Sequence, residues 1–392
     1  MALANKRIAI AITCSAMLAS KAVNAGLMEQ LIDDDGWVDG SDWVLENAIG
    51  FMPVPIIITE PAVGEGLGVA AAFFHPPKDY SKEEYEEERA ERAEQGEPDR
   101  EKFVLPDITV VAAAATNNGT WLVGGGHIAH WRKDTIRYQG IIGYASINVD
   151  YYVDVGDSSV PFEFNAEGFL STQPFSFRLG KSSWFVGGNW DYAKVETKFD
   201  KSNPILELLN FDTSLSALGA FIQFDNRNTI FTPTKGTYAE LSYNRDSDNW
   251  GSDWDFDKVE FFLHQYFTLS KKWALGLRGN VINVEGDLPF FSVPFIELRG
   301  IPALRYQGES VGVVEADIAW RFHPRWAVSG FAGVGKADES FGDFSDSPSR
   351  VAKGVGIRYN TARKLGMWAG IDVAKGPEDT YWYLTVGSPW RD

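Results

Sequence analysis

The ten residues GVVEADIAWR, 312–321, decide the fold. Val314, Ala316, Ile318 and Trp320 alternate with Glu315, Asp317, Ala319 and Arg321. In an extended strand successive side chains point to opposite faces, so one face here is apolar and the other carries charge. The pattern recurs at 257–268, where Val259, Phe261, Leu263 and Phe267 oppose Glu260, His264, Tyr266 and Thr268. At 218–227 Leu218, Ala220, Ile222 and Phe224 oppose Gln223, Asp225 and Arg227, and near the end Trp382, Leu384 and Val386 oppose Tyr381, Tyr383 and Thr385. A soluble sandwich produces similar alternation. A membrane barrel, with lipid outside and a wet lumen inside, also requires segments of about ten residues separated by alternating short and long connections.

That second requirement is met. Short connections fall at 117–119 (NNG), 180–183 (GKSS), 269–272 (LSKK), 323–325 (HPR) and 361–364 (TARK), and longer polar ones at 199–213, 246–255, 285–309 and 337–349. The short ones read as periplasmic turns and the long ones as extracellular loops. The reading is an all-β, transmembrane antiparallel β-barrel of sixteen strands, at 65–74, 107–116, 120–131, 134–146, 149–156, 161–179, 184–198, 214–226, 237–246, 255–269, 273–284, 309–321, 326–336, 349–360, 365–374 and 380–390. No apolar run reaches 18 residues, so spanning helices are excluded and a closed sheet is the other way to satisfy every backbone polar group in lipid. The 14 Trp, 14 Tyr and 26 Phe suffice for two interfacial girdles.

Residues 1–25 read as an export signal. Lys6 and Arg7 precede an apolar run from Ile8 to Ala19, and Val23 and Ala25 provide small cleavage-site residues. The run is too short to span a bilayer as a helix. The only cysteine, Cys14, lies inside it, which leaves no thiol for disulfides, thiolate catalysis or metal binding. Without the signal the chain keeps 33 basic against 54 acidic side chains, a net −21, because Lys6, Arg7 and Lys21 leave and no acid does. Such a chain repels phosphate backbones, so nucleic acid is excluded as a partner. Residues 26–64 are expected to be a short periplasmic or plug-like leader, with a helix over 42–49 capped by Ser41, and residues 65–392 the barrel. The charge run at 78–102 reads as a solvated loop outside the cell, since it follows the first upward strand.

Three stretches resemble the bacterial surface-antigen barrel family, the superfamily of BamA, TamA and the two-partner secretion pores. FIQFDNRNTIFTPTKGTYAELSYN, 221–244, resembles that family's turn, with Asp225, Arg227, Phe231, Pro233 and Gly236 at the matching places. PFIELRGIPALRYQGES, 294–310, matches in Leu298, Arg299, Gly300 and Ile301 the family's hydrophobic-Arg-Gly-hydrophobic loop tip. The third is the end of the chain, whose aromatic last strand, with Trp390, is similar to the signal read by the barrel-assembly machinery. The resemblance covers 214–390. It implies that the long loop folds back into the lumen, and alternation then sets Arg299 against Glu315 or Asp317 as a latch. The chain departs from the pattern at Gly333, where the family carries an Asp two residues after a Phe, and at Arg391 and Asp392, which follow the terminal aromatic. About 40 residues between the signal and the first strand leave no room for a periplasmic POTRA module, so the expectation is a short member without them.

Enzymatic readings fare poorly. GFAGVGKA, 330–337, nearly spells a phosphate-binding loop, but Ala337 stands where Ser or Thr would hold magnesium. His127 and His130 point to opposite faces of one strand and cannot share a metal. His264 is assigned to the lumen as a solvated pore residue, whereas an outer-membrane phospholipase needs a lipid-facing His beside a Ser. No cofactor, metal or catalytic residue is expected. The resemblance implies a machine that helps proteins or lipids enter the outer membrane through the barrel seam; a passive porin-like channel or structural barrel is the alternative. Expected partners are outer-membrane lipids and lipopolysaccharide, the barrel-assembly machinery for its own insertion, and client outer-membrane proteins.

Overall fold

The computed structural model describes residues 36–41, 50–75, 79, 81, 83, 84, 87, 107–155, 158–199, 210–229, 231–363 and 366–390. The signal, most of the charge run and the helix expected at 42–49 lie outside them. Sixteen strands form one sheet in chain order, each antiparallel to the next. They are β1 (Gly50–Glu60), β2 (Gly64–His75), β3 (Asp107–Thr116), β4 (Trp121–Trp131), β5 (Ile136–Val155), β6 (Ser158–Arg178), β7 (Trp184–Phe199) and β8 (Phe211–Asp225). The second half comprises β9 (Gly236–Asp246), β10 (Phe256–Thr268), β11 (Trp273–Gly286), β12 (Ser310–His323), β13 (Trp326–Asp338), β14 (Arg350–Ala362), β15 (Met367–Lys375) and β16 (Thr380–Val386).

The period-two pattern does what lipid requires. Val314, Ile318 and Trp320 of β12 are exposed on the outer wall, while Glu315 and Asp317 are buried inside. Val259, Phe261 and Phe267 of β10, Leu218 and Ile222 of β8, and Trp382 of β16 likewise face outward. In a water-soluble chain so many exposed apolar side chains would drive aggregation; against acyl chains they are the stable arrangement.

Two strand assignments need correction. Residues 134–146 and 149–156 are not separate strands. They form the single twenty-residue β5, paired with the twenty-one-residue β6 from Ile136↔Phe177 to Val155↔Ser158. The turn inferred at 147–148 does not exist: Ile147 and Asn148 stay in register with Ala166 and Asn165. Conversely, Gly50–Glu60 was assigned to the leader and is β1, paired with β2 along its whole length. Its run Ile56, Ile57, Ile58 has strand composition without alternation, which is why the periodicity missed it. One false split and one missed strand cancel, and the count stays sixteen.

The missed strand also inverts one connection. In an up-and-down sheet the connections alternate ends, so the β2–β3 connection, which contains 78–102, shares an end with the turns at 132–135, 179–183, 269–272, 324–325 and 363–366. That is the short-turn end, where β2 stops at His75 and β3 starts at Asp107; most of the charge run itself lies outside the described residues. The short turn at 117–119 sits on the loop side instead. The Asp79 carboxylate accepts from the Arg132 amide in the β4–β5 turn, which ties the start of the charge run to that end. The segment Gly36–Ser41 docks there too: Gly40 N–H donates to the Thr361 carbonyl (2.7 Å), and Asp39 pairs with the fully buried Arg325.

At the opposite end β5 to β8 run long, and their inner faces turn apolar. Val149, Phe164, Val195, Phe199 and Leu215 pack with Phe291, Phe295 and Leu304 from the β11–β12 loop. The loop therefore enters the barrel under an apolar roof.

Candidate functional site: the lumenal latch and the seam

The β11–β12 loop, 287–309, descends into the lumen, and the arginine at its tip meets three carboxylates. Arg299 Nη2 donates to Glu315 Oε1 (2.6 Å) and Asp317 Oδ2 (2.9 Å), Nε donates to Glu315 Oε1 (3.0 Å), and Nη1 donates to Asp372 Oδ2 (2.8 Å). The guanidinium lies 3.5 Å from the centre of the Phe331 ring. Both Glu315 and Asp317 of β12 accept from it, and Asp372 of β15 joins them. A planar fork with five donors suits such a cluster better than an ammonium. The three acids are not left in excess: Arg358 Nη2 donates to Asp372 Oδ2 (2.8 Å). Arg278 donates to the Glu297 carbonyl (2.9 Å) and approaches Glu315 at 3.8 Å.

The loop tip leaves no room for a side chain at Gly333. A Cβ there would come within 2.7 Å of Leu298 Cδ2 and 3.2 Å of Glu315 Cβ, and one at Gly335 within 2.4 Å of Ile296 Cγ2. The loop tip occupies the space that a β13 carboxylate would need. Ile296, Leu298 and Ile301 are buried against Val311, Val313 and Ala352, so an apolar collar excludes water around the ion cluster.

Above and below Arg299 the same loop grips the last hairpin. Gly300 adopts φ +100, and its N–H donates to the Tyr383 hydroxyl of β16 (2.8 Å). Gly376, in the β15–β16 connection, sits so close that a Cβ on it would lie 1.9 Å from the Gly300 carbonyl oxygen. Nearer the loop end, Arg305 Nε donates to Glu378 Oε2 (3.0 Å) and the Tyr306 hydroxyl to Glu378 Oε1 (2.9 Å). These hydrogen bonds hold the Glu378 carboxyl below its ordinary range, Arg305 contributing most. Within the sheet Thr385 Oγ1 donates to Asp372 Oδ2 (3.0 Å).

Trp390 was expected at the end of the last strand, 380–390. The strand ends at Val386. Gly387, at φ +78, turns the chain inward, and Trp390 is buried in the lumen, its Nε1 donating to Glu315 Oε2 (2.8 Å). It lies beside the rings of His264 (5.7 Å) and Tyr266 (6.0 Å). His264 is consequently not a solvated pore residue: it faces the lumen as expected but is buried among Tyr238, Phe262 and Trp390.

The β8–β9 turn forms the floor. Arg227 folds back on Asp225, with Nε donating to Oδ1 (3.1 Å), and its guanidinium covers the Tyr238 ring at 4.0 Å. Asn228 Oδ1 accepts from the amides of Thr234 (3.0 Å) and Lys235 (3.1 Å) around Pro233. Gly236, at φ +104, passes so close to the entering chain that a Cβ would lie 2.4 Å from the Asn226 carbonyl. Across the mouth the Trp368 amide donates to Thr232 Oγ1 (3.3 Å), and the Phe231 carbonyl abuts Gly387. Of the turn residues named from sequence, Phe231 therefore reaches the tail, and its neighbour Thr232 reaches β15.

The sheet is not sewn shut. Among the described residues no backbone ladder joins β16 to β1. The Leu384 amide donates to Thr59 Oγ1 (3.2 Å), and Trp382 Nε1 to Glu65 Oε1 (2.8 Å), both near the loop end. Extending that register, the chain beyond Val386 has already turned inward where β16 would face the first half of β1. Pro53 and Pro55 lie in that half. Alternate residues of a strand point their N–H groups to opposite edges, so two prolines two apart remove donors from one edge only. The ladder to β2 occupies one edge of β1, and the prolines are compatible with it when their missing donors face the seam.

Comparison with known proteins follows from this geometry. Residues 145–293, from the middle of β5 to the start of the in-folded loop, match the model of the Omp85 superfamily domain. The fold is similar to BamA from Haemophilus ducreyi lacking POTRA domains 1–3, with a TM-score of 0.56 and 11% identity over 93% of this chain and 82% of that one. It is also similar to CdiB from Escherichia coli (TM-score 0.55, 9% identity, 86% of this chain and 62% of that one). CdiB from Acinetobacter baumannii gives a TM-score of 0.53 at 10% identity over 86% of this chain and 58% of that one. Comparison with curated proteins gives no match. The molecule shares the fold of these sixteen-stranded barrels, and the Arg299 latch lies beyond the matched segment.

Proposed function

We propose that this barrel assists the insertion or translocation of proteins at the outer membrane by parting its wall between β1 and β16. The observation that supports the reading best is the seam: every other pair of neighbouring strands shares a ladder, and this one relies on a few side-chain hydrogen bonds near one end. A barrel that only needs to be stable abolishes its edges. A wall designed to part keeps one weak junction, and a partner strand can add to a free edge by backbone hydrogen bonding.

The chain enters the envelope through the export signal at 1–25 and is itself inserted by the barrel-assembly machinery. Its apolar belt contacts outer-membrane lipid and lipopolysaccharide, and the clients are other outer-membrane proteins. The short-turn end, with Gly36–Ser41 and the 76–106 connection, faces the periplasm. No catalytic group is assigned. His264 is buried inside and does not face lipid.

Depletion tests the reading. The expected result is selective loss of particular barrels from the outer-membrane proteome, with small-solute uptake unchanged. An unchanged proteome with altered uptake would replace the proposal by a passive channel.

A further inference from the structure

Beneath the latch, where the lumen narrows toward the short turns, lies a cavity of about 80 Å³. Its wall includes Arg321, Ser329, Arg358, Trp368 and Trp390, with Thr232 and Thr234 from the β8–β9 turn. That is room for several waters or one small oxyanion. Two features of it have no role in the latch.

The first is Arg321. It follows Glu315 and Asp317 on the inner face of β12, yet among the described residues it forms no ion pair; its side chain lies 5.5 Å from the Trp368 ring centre. The other inward arginines near it, Arg278, Arg299 and Arg358, each engage a carboxylate. A half-buried guanidinium without a counter-ion is costly to maintain, more so in a lumen where acids are otherwise matched to bases. The second is Ser329, whose Oγ is buried and has no hydrogen-bond partner. A hydroxyl left so is uncommon and invites a missing partner.

Register brings these groups together. Arg321 pairs with Ala327, and Ala327 with Arg358, so the two arginines stand at one level on the same face, separated by the small Ala327. Two inter-strand steps put their backbones roughly 10 Å apart. Ser329 is next along β13, opposite Ala319 and Gly356. Arg358 spends two N–H groups on Asp372, and of its five donors others remain. Asp317 also lines the cavity, but Arg299 neutralises it.

We propose that this cavity is a binding site for a phosphate-class oxyanion, held between Arg321 and Arg358 with the Ser329 hydroxyl as a third donor. The aromatic rim of Tyr266, Trp368 and Trp390 suits a phosphate carried on an organic stem, and the guanidiniums suit the free ion equally. The shared chemistry is the phosphate itself. Free phosphate and a phospholipid headgroup are its two sources.

The test uses the purified barrel in non-ionic detergent at low ionic strength, titrated calorimetrically with inorganic phosphate and, separately, with dihexanoyl phosphatidic acid. Saturable binding of at least one is expected, weakened roughly tenfold or more by Arg321→Gln, less by Ser329→Ala, and unaffected by Lys271→Gln on an exposed turn. Binding of both probes assigns the site to phosphate as such, and binding of the lipid alone assigns it to a headgroup. Without ligand, Arg321→Gln should unfold at the same temperature as wild type or higher, because it removes a charge that has no partner. Equal binding by wild type and Arg321→Gln, or no saturable binding of either probe, would overturn the site and leave Arg321 a stacking partner of Trp368. The outcome is independent of whether the seam handles clients.

Discussion

The two edges of the seam are held in different ways. β16 is seven residues long, yet it is fastened from inside: Tyr383 receives the Gly300 amide, Thr385 donates to Asp372, and Trp390 in the tail beyond it donates to Glu315. Its hairpin partner β15 carries Asp372, gripped by Arg299 and Arg358, and the connection between them carries Glu378, gripped by Arg305 and Tyr306. β1 is longer at eleven residues, and a backbone ladder to β2 runs along its whole length. Behind it stands a wall of small residues, including Gly66, Gly68, Ala70, Ala112 to Ala115 and Gly124 to Gly126. A short edge braced by side chains and a long edge relying on backbone bonds teach that the in-folded loop is a brace for one flank. The seam should give way on the β1 side.

Breaking the brace should have the largest effect. Arg299→Ala leaves Glu315, Asp317 and Asp372 with fewer cations in a water-poor site, and removing one partner of a buried ion pair costs about 3 to 5 kcal/mol. The expected readout is a lower unfolding temperature together with faster hydrogen exchange in β15 and β16, and little change in β2 to β4. Because three carboxylates share one guanidinium, Arg299→Glu with Glu315→Arg should not restore stability. Uniform loosening of the whole sheet, or full rescue by that single swap, would refute a brace that centres on Asp372 as much as on β12.

The β1 edge predicts the opposite sign. Replacing Pro53 and Pro55 by Val restores two backbone donors on the half of the β1 edge that β16 does not reach, and a tail drawn back from the lumen to pair with them would gain about 0.5 to 1.5 kcal/mol per new hydrogen bond. The double variant should be more heat-resistant as a folded barrel and poorer in the client assembly proposed above. If it is less stable than wild type, the prolines are serving the local shape of β1 and the seam is not being kept open by missing donors.

How far this arrangement could be read beforehand follows from what each residue's neighbours supply. Glu315 and Asp317 were legible because a period-two strand fixes its own faces. Arg299 was legible through the resemblance at the loop tip. Asp372 was not, since GIDVAK alternates like any other strand and its role depends on β15 lying next to β16 with the loop tip beside both. β1 was missed because three consecutive isoleucines erase the alternation, and β5 was divided because SINVDYYV mixes polar and aromatic residues where the strand leaves the membrane level. Trp390 was placed in a strand because Gly387 looks like any other glycine; its φ of +78, which swings the tail inward, is a tertiary fact.

The smallest effect concerns the outer end of the brace, where Glu378 meets Arg305 and Tyr306. Its carboxyl is held below the ordinary glutamate range by those hydrogen bonds and by the nearby cations, against a burial effect that would raise it. A depressed folded-state pKa means that the clasp contributes its full stability above the unfolded-state value, about 4.3, and loses it as pH falls through the lower folded-state value. The Glu378 side chain is 42% exposed, so solvent screens the pair and its worth is about 0 to 1 kcal/mol. Other carboxylates of the lumen protonate in acid as well, so the informative quantity is the stability difference between wild type and Glu378→Gln, measured at a series of pH values. That difference should be constant from pH 7 to 5 and should shrink toward zero below about pH 4. Arg305 also covers the ring of Tyr152 on β5 at 4.6 Å, a contact that survives the substitution, so the loop should stay in the lumen while the β15–β16 connection loosens. A difference that is flat from pH 7 to 3 would mean that Glu378 is held by its backbone neighbours alone, and that the loop's grip on the last hairpin begins lower, at Gly300 and Arg299.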